Sequence, residues 1–303
     1  MVERKLNLDI AGAVSELEML IQRVFPRNIV YRLLLGKGLE FDGFRDFTQQ
    51  DDASNIDWKA SVKAKELLVR KYIEERDLKF VFIVDVSDNM VFGSTEKLKC
   101  EYCAELSAAL SHLMLGSGDQ VGFVLFSDKI VEIRPPELGT KQFEIFVNHL
   151  SDPLVYGGKS NLNDVLDILV KTIGKDTSMI FLISDFVRLG ENQQRNLEVL
   201  SGLFETVAII VRDPLDNSLP DIDNEVIIQN PDTGEKLLIN PRVAKRVYEE
   251  NALNQLSLVK KIFKNFNIDF LELSTDKPFS VEFATFLKER IKGGRIVRLK
   301  NVR

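Results

Sequence analysis

Short apolar runs alternate with segments of helical periodicity along most of the chain. The runs have the length and composition of buried strands, as in LKFVFIVDV (78–86), SMIFLIS (178–184) and TVAIIV (206–211). Apolar residues recur at helical spacing between them, for example at 96–115 and 161–173. Strands that alternate with helices in this way form βαβ units, so the pattern predicts an α/β fold with a mostly parallel sheet and helices on both faces.

Two parts of the chain depart from this alternation. The sequence EVIIQNPDTGEKLLIN (225–240) predicts an inserted β-hairpin, because PDTG supplies turn residues between two short apolar runs. Residues 1–77 begin with a predicted helix at about 9–24. They continue into a segment dense in both charges at 39–76, which is called the charged segment below. We expect residues 1–77 to pack on a core domain of residues 78–303, with the charged segment serving either structural packing or a partner surface. Trp58, the single tryptophan, predicts partial burial of that segment, since an indole in a wholly solvated loop is unusual.

The acidic composition and the lack of long apolar runs limit the partners and the location. The 303 residues carry a net charge of −6 with a pI near 5.3, whereas nucleic-acid binding normally needs a concentrated basic surface. No apolar run approaches the roughly 20 residues that span a bilayer. The N-terminal sequence MVERKLNLDIAGAVSELEML lacks the continuous apolar core of a signal peptide. We therefore expect a cytoplasmic protein with no membrane span and no nucleic-acid partner.

Two cysteines, Cys100 and Cys103, form a CxxC motif inside a segment of helical periodicity. A structural zinc site needs further ligands at suitable spacing, and neither a second cysteine pair nor a neighbouring histidine is present. The motif is interpreted as two packed helix residues, with a redox pair and a metal site as the alternatives.

The sequence lacks the common enzyme signatures. It has neither a P-loop nor a G-x-G-x-x-G fingerprint, and its two histidines, His112 and His149, both lie in predicted helices. A phosphatase that places an aspartate nucleophile at the end of a strand needs a second carboxylate two residues later, but that position is Ser87. We therefore expect a protein that is not an enzyme, and a metal-dependent hydrolase is the less favoured alternative.

Oxygen-bearing side chains lie in three loops, two of which end apolar strands and one of which precedes a predicted helix. They are Asp85, Ser87 and Asn89 after the strand 78–86, Ser160 in the loop GGKSN, and Ser184 and Asp185 at the end of the strand 178–184. The carboxyl ends of parallel strands meet at one edge of an open sheet, where ligands bind, so these three places are expected to converge. Hard oxygen donors select Mg²⁺, Mn²⁺ or Ca²⁺ rather than zinc.

The motifs at these strand ends resemble a known metal site. DVSDNM, GGKSNL and LISDF resemble the metal-ion-dependent adhesion site of von Willebrand factor type A domains, whose pattern is D-x-S-x-S, then Thr, then Asp. The preceding sequence, with FRDF, IDW and DVSDNM in order, resembles the domain-of-unknown-function 58 family, in which such a block precedes a von Willebrand-type domain. This resemblance implies a von Willebrand factor A-type, Rossmann-like doubly wound sheet, preceded by the helix and a β-rich charged segment.

Carried over residue by residue, the resemblance implies a site for Mg²⁺, or for Mn²⁺ or Ca²⁺, formed by Asp85, Ser87, Asn89, Ser160 and Asp185. Asn89 stands where the pattern has its second serine, and its amide oxygen reaches farther than a hydroxyl. Ser160 stands at the threonine position and keeps the hydroxyl. The alternative is that Asp85, Ser87 and Asn89 only cap the following turn through side-chain to backbone hydrogen bonds.

The resemblance also implies a function in protein interaction. The cation would keep one coordination position free for an Asp or Glu of a partner, and the implied partner is a MoxR-type AAA+ ATPase that this protein serves as an adaptor in protein assembly or remodelling. The competing hypothesis is a metal-free structural scaffold, which makes its contacts through the charged segment or through the hairpin at 225–240.

Overall fold

A computed structural model of the chain describes residues 5–24, 40–48, 56–73, 78–190, 194–229 and 234–292. The strands within these ranges are β1 (Glu40–Asp46), β2 (Leu68–Ile73), β3 (Lys79–Asp85), β4 (Gln120–Phe126), β5 (Ile130–Glu137), β6 (Met179–Ser184), β7 (Glu205–Arg212), β8 (Val226–Gln229), β9 (Lys236–Ile239) and β10 (Asp269–Ser274). The α-helices are α1 (Ile10–Val24), α2 (Trp58–Ala64), α3 (Lys99–Gly116), α4 (Thr140–Ser151), α5 (Leu162–Thr172), α6 (Gln194–Leu203), α7 (Pro214–Asn217), α8 (Pro241–Asn265) and α9 (Phe279–Lys292).

Six strands form the central sheet in the order β10-β7-β6-β3-β4-β5. Neighbouring strands are parallel except for β4 and β5, which pair in the antiparallel direction at one edge. Counted along the chain within this sheet, the order is 3-2-1-4-5-6, which is the doubly wound arrangement. The predicted α/β fold class, a Rossmann-like and mostly parallel sheet, is therefore confirmed.

Helices cover both faces of this sheet because the strand residues are apolar on both sides. Helices α1, α3, α4 and α9 share one core cluster, and α5, α6 and α8 share the other. Phe82 and Ile83 of β3 show the alternation, since Phe82 belongs to the first cluster and Ile83 to the second. On the first face, the Phe82 ring stacks on Phe181 with 5.1 Å between centroids and contacts Phe146 at 5.6 Å.

The reversal of strand order lies between β3 and β6. The chain leaves β3 for α3 on one face and leaves β6 for α6 on the opposite face. The loops therefore diverge and open a crevice at the carboxyl ends of these two strands, which is where open α/β sheets bind ligands.

The N-terminal residues are fixed to α3 by two carboxylates. The backbone N–H of Asn7 donates to Glu101 Oε1 at 2.6 Å, and that of Asp9 donates to Glu105 Oε1 at 2.5 Å. The following helix α1 buries Leu17 in the core cluster on the α3 face. Helix α1 thus packs on the α/β core, while the division of the chain at residue 77 stays a prediction.

The charged segment contains a small sheet, and its tryptophan is largely exposed. Strands β1 and β2 pair in the antiparallel direction, with α2 between them in sequence. Ser61, the buried residue of α2, accepts a hydrogen bond from the backbone N–H of Leu68 at 2.9 Å. The segment is partly buried, but through Ser61 and Val69 rather than Trp58, because α2 turns Ser61 toward β2 and leaves Trp58 64% exposed.

The inserted hairpin is found where the sequence predicts it. Strands β8 and β9 are antiparallel, with Val226 opposite Ile239, and the residues 230–233 that join them lie outside the described residues. Within the described ranges, none of the helices combines the length and the apolarity that a membrane crossing requires.

We predict that Leu17→Ala lowers the free energy of unfolding by about 2–5 kcal/mol, because Leu17 is fully buried between α1 and the core. Met19→Ala on the same helix is the matched control, since Met19 is 64% exposed and its loss is expected to cost about 0.5 kcal/mol or less. Urea denaturation of both variants measures the difference. Equal losses would show that α1 does not pack on the core as described.

Candidate functional site

Asp85 joins the three predicted loops into one hydrogen-bonded cluster. Its side chain is fully buried at the end of β3. Its Oδ1 accepts the backbone N–H of Ser87 at 3.0 Å, and its Oδ2 accepts the hydroxyls of Ser160 at 3.0 Å and Ser184 at 2.6 Å. The name oxygen cluster is used below for Asp85, Ser87, Ser160 and Ser184. The expected convergence of the two strand ends and the loop of Ser160 is therefore observed.

Backbone hydrogen bonds hold two of these loops together. The N–H of Gly157 donates to the carbonyl of Val86 at 2.8 Å, and the N–H of Asp88 donates to the carbonyl of Gly158 at 2.8 Å. The Asp88 side chain accepts the N–H of Gly158 in return at 3.1 Å. Gly158 has φ +85°, and a Cβ there would lie 3.2 Å from Ser127 Oγ, so the loop requires glycine at this position.

The Ser87 hydroxyl is buried without a hydrogen-bond partner. Ser87 begins the short 3₁₀ helix Asp88–Met90, but its side chain does not cap that helix. Its hydroxyl is near enough to Asp85 to lower the pKa of that carboxyl, yet no hydrogen bond from Ser87 Oγ to the described residues has acceptable geometry. The capping alternative therefore holds for Asp85, which accepts the Ser87 N–H, but it does not hold for the Ser87 side chain. A buried hydroxyl left without a partner costs about 1–3 kcal/mol, so its presence calls for an explanation.

Asn89 and Asp185 stand apart from the oxygen cluster. Asn89 lies half-buried in the 3₁₀ helix, and its side chain makes no hydrogen bond to the described residues. Asp185 is buried, and its Oδ1 accepts the N–H of Val187 at 3.1 Å. The predicted ligands are thus brought to one edge of the sheet, but only Asp85, Ser87 and Ser160 lie within one hydrogen-bonded group.

Lys99 forms an ion pair with Asp185. The Lys99 Nζ donates to Asp185 Oδ2 at 2.8 Å and to Asp216 Oδ2 at 3.0 Å, and these three residues are called the lysine bridge below. The sequence prediction omitted Lys99 and Asp216. A usable signal existed, because Lys99 is the first residue of α3, and a cation at a helix N-terminus is unfavourable unless a partner compensates it.

The chain is strained immediately after Asp185. Phe186 has φ +51°, a left-handed conformation that costs a non-glycine residue about 1–3 kcal/mol and persists where the surroundings enforce it. Its N–H donates to Ser184 Oγ at 3.2 Å, and its carbonyl accepts Gln255 Nε2 at 2.7 Å. Strain of this kind clusters at functional sites, which agrees with a site at the end of β6.

Burial dominates the electrostatics of the cluster. It raises the pKa of Asp85, and the nearby charge of Asp185 raises it further, while the hydroxyl of Ser184 opposes the shift. Because the pKa of Asp85 is higher in the folded state than in the unfolded state, ionisation of this side chain lowers the free energy of unfolding. The loss is absent below the unfolded pKa and grows as the pH rises through the folded pKa. Burial alone would lower the pKa of Lys99, but the carboxylates of Asp185 and Asp216 raise it above its ordinary value.

The donors present suit a hard cation more than zinc. Across the described residues, no group of three or more His, Cys, Asp or Glu side chains is arranged to hold a metal. A cation at the oxygen cluster would therefore rely largely on hydroxyl oxygens, with Asp85 as the charged group. The unpartnered Ser87 hydroxyl fits such a cation, because it can coordinate without breaking an existing hydrogen bond.

The two cysteines are packed in α3. Both are free thiols with buried side chains. Burial raises the pKa of Cys100 to about 12 and that of Cys103 well above its ordinary value. Since the thiolate is the reactive form, these pKa values describe unreactive core residues.

Family comparison covers most of the chain. Residues 43–256 match the family described as "Protein of unknown function DUF58". The chain belongs to this family. The match spans the charged segment, the oxygen cluster and the lysine bridge, so the family predicted from the sequence motifs is confirmed.

The relatives are similar over most of their length. Uncharacterized proteins of Mycobacterium tuberculosis and Mycobacterium bovis are each 25% identical over 266 residues, which cover 86% of this chain and 82% of theirs. Among solved structures, BatB from Bacteroides thetaiotaomicron has a TM-score of 0.43 at 10% identity, covering 71% of this chain and 99% of its own. The SpRpn10 VWA domain has a TM-score of 0.41 at 12% identity, covering 69% of this chain and 94% of its own.

We predict that Ser184→Ala destabilises the protein by about 1–3 kcal/mol, because the buried Asp85 carboxylate loses a hydroxyl donor. Ser201→Ala is the matched control, since the Ser201 hydroxyl only donates to the Glu198 carbonyl in an exposed hydrogen bond. Its expected cost is about 0.5 kcal/mol or less. Urea denaturation at neutral pH separates the two variants, and equal stability of both would contradict the role given to Ser184.

Proposed function

We propose that the chain is a protein-interaction module of the von Willebrand type, which binds a divalent cation at the oxygen cluster. The observation that carries the proposal is the buried Ser87 hydroxyl, which has no hydrogen-bond partner among the described residues and lies beside the Asp85 carboxylate. Membership of the DUF58 family and the doubly wound sheet are compatible with such a module, since a sheet of this kind binds ligands at the carboxyl ends of its strands.

Each proposed ligand has its own part. Ser87 and Ser160 offer hydroxyl oxygens, and Asp85 holds the Ser160 hydroxyl in place at 3.0 Å. Asn89 and Asp185 complete the set from the 3₁₀ helix and from the end of β6. When bound, a Mg²⁺ ion, or Mn²⁺ or Ca²⁺, supplies an open coordination position that the carboxylate of a partner fills.

The surroundings of the oxygen cluster support binding rather than catalysis. A hydrolytic site needs a base that can reach a nucleophile or water. Of the two histidines, His112 has its Nε2 3.3 Å from Glu18 Oε1, and His149 packs against the Phe123 ring with 5.6 Å between ring centroids. Neither is hydrogen-bonded to the oxygen cluster, so we infer a protein without enzymatic activity.

The partner we propose is a MoxR-type AAA+ ATPase in the cytoplasm, which this protein serves as an adaptor in protein assembly or remodelling. The support is the resemblance of the motifs DVSDNM, GGKSNL and LISDF to the family pattern. An Asp or Glu of the ATPase would reach the cation, so cation and partner would each raise the affinity for the other.

A metal-free scaffold is the second candidate. The pairing of Asp185 with Lys99 favours it, because this carboxylate already has a cation. The exposed Trp58 and Val62 on α2, one helical turn apart, also favour it, since they offer an apolar contact surface in the charged segment.

We expect Mn²⁺ to bind the chelator-treated protein with one saturable site, and Ser87→Ala to weaken this binding by about tenfold or more. Ser111→Ala is the matched control, because Ser111 is also fully buried. It lies in α3, three turns beyond the first residue of that helix, Lys99. Isothermal titration calorimetry measures the affinities, and circular dichroism confirms that both variants fold. Absent binding to the wild type, both alone and in the presence of the ATPase, would overturn the cation site and leave the scaffold.

The two candidates differ in the surface that contacts the ATPase. For the cation-dependent module, we expect Asp85→Ala and added chelator each to abolish binding to a MoxR-type ATPase, and Trp58→Ala to leave it unchanged. For the scaffold, Trp58→Ala weakens binding and chelator has no effect. Biolayer interferometry with immobilised ATPase distinguishes these results, and no binding under any condition would contradict the proposed partner.

A further inference from the structure

The lysine bridge places the ammonium group of Lys99 beside Asp185, one of the proposed ligands of the divalent cation. Lys99 extends from the first turn of α3, and its side chain is 2% exposed. Its ammonium lies 2.8 Å from Asp185 Oδ2 and 3.0 Å from Asp216 Oδ2. The Phe92 ring covers the ammonium at 5.6 Å from its centroid. A buried ammonium needs carboxylates of this kind, since an unpaired charge in the interior is costly.

Asp185 has no unoccupied carboxylate oxygen. Its Oδ1 accepts the Val187 N–H at 3.1 Å and its Oδ2 accepts the Lys99 ammonium. Asp213, the neighbouring acid on the β7 side, is instead satisfied by neutral donors: the Ser94 hydroxyl and the Ser94 and Leu215 N–H groups. Lys99 therefore pairs with Asp185, which the candidate site shares with it, and with Asp216, but not with Asp213.

We propose that Lys99 is a tethered competitor of the divalent cation, and that it keeps the affinity for the cation low until a partner's carboxylate arrives. This inference rests on the cation site proposed above. An ammonium and a divalent cation that share Asp185 repel each other strongly in a buried site, where water does not screen them. A carboxylate from the partner lowers the charge of the bound cation and so reduces this repulsion. Lys99 thereby makes cation binding depend on the partner.

The inference differs from a purely structural role for Lys99. A structural lysine bridge would tie α3 to the ends of β6 and β7, and its removal would destabilise the protein whether or not a cation is present. A competitor has an additional effect, because its removal leaves the buried Asp185 and the partly buried Asp216 as uncompensated carboxylates that a divalent cation can compensate. The affinity for the cation must then rise.

The test is Lys99→Met in the full chain, titrated with Mn²⁺ by calorimetry after chelator treatment. We expect Lys99→Met to bind Mn²⁺ about tenfold or more tightly than the wild type, a typical size for coupling between two sites. We also expect Mn²⁺ to raise the midpoint of thermal unfolding more in this variant than in the wild type. Lys79→Met is the matched control, because it removes a partly exposed Lys79–Asp176 pair at the opposite end of β3.

The outcomes separate this inference from the proposed function. Equal or weaker Mn²⁺ binding by Lys99→Met would overturn the inference and leave the cation site intact. Binding by Lys99→Met without measurable binding by the wild type alone would support the inference, because the cation site would then exist and Lys99 would close it in the absence of a partner. No binding by either protein would overturn both. If Lys99→Met does not fold, Lys99→Met/Asp216→Asn removes one of the two uncompensated carboxylates, and the same comparison with the wild type applies.

Discussion

The buried carboxylate of Asp85 determines how the carboxyl edge of the sheet is built. A carboxylate in the interior must accept strong hydrogen bonds, and here the donors come from three separate parts of the chain. The N–H of Ser87 follows β3, the hydroxyl of Ser184 ends β6, and the hydroxyl of Ser160 precedes α5. Because one side chain satisfies all three, the loops cannot move independently without leaving the charge unpaired.

The doubly wound order explains why these donors meet. The strands β3 and β6 are neighbours, yet their following helices lie on opposite faces, so the loops separate and leave room between them. The loop that carries Ser160 closes this space from the side of β4, since the N–H of Asn161 donates to the Ser127 carbonyl at 3.0 Å. The site is thus a consequence of topology, and the family motif supplies the side chains.

Electrostatic balance sets the properties of this edge. Asp185 lies close enough to Asp85 for its charge to raise the pKa of the Asp85 carboxyl, and both side chains are buried. Lys99 compensates Asp185, while Asp85 has only dipolar donors among the contacts described. The region is therefore short of positive charge at Asp85, which is the position where a divalent cation would be most stabilised.

Much of this arrangement could be predicted from the sequence, because its causes are local. Apolar runs such as residues 78–86 and 178–184 identify strands by composition, and side chains that follow parallel strands must share an edge. Lys99 was missed because its partner Asp216 is distant in sequence, so the ion pair depends on how α3 approaches the end of β7. The sequence indicated partial burial of the charged segment but not the residue that is buried, because composition does not say which face of a short helix packs, and Ser61 rather than Trp58 occupies that face in α2.

The most direct test of the account is anomalous diffraction from crystals grown from chelator-treated protein and soaked in Mn²⁺, recorded near the manganese absorption edge. The account predicts one strong anomalous peak between the hydroxyl oxygens of Ser87 and Ser160, beside the Asp85 carboxylate. A peak elsewhere on the molecule, or a fully soaked crystal without a peak at this position, would contradict the proposal that the oxygen cluster is a cation site.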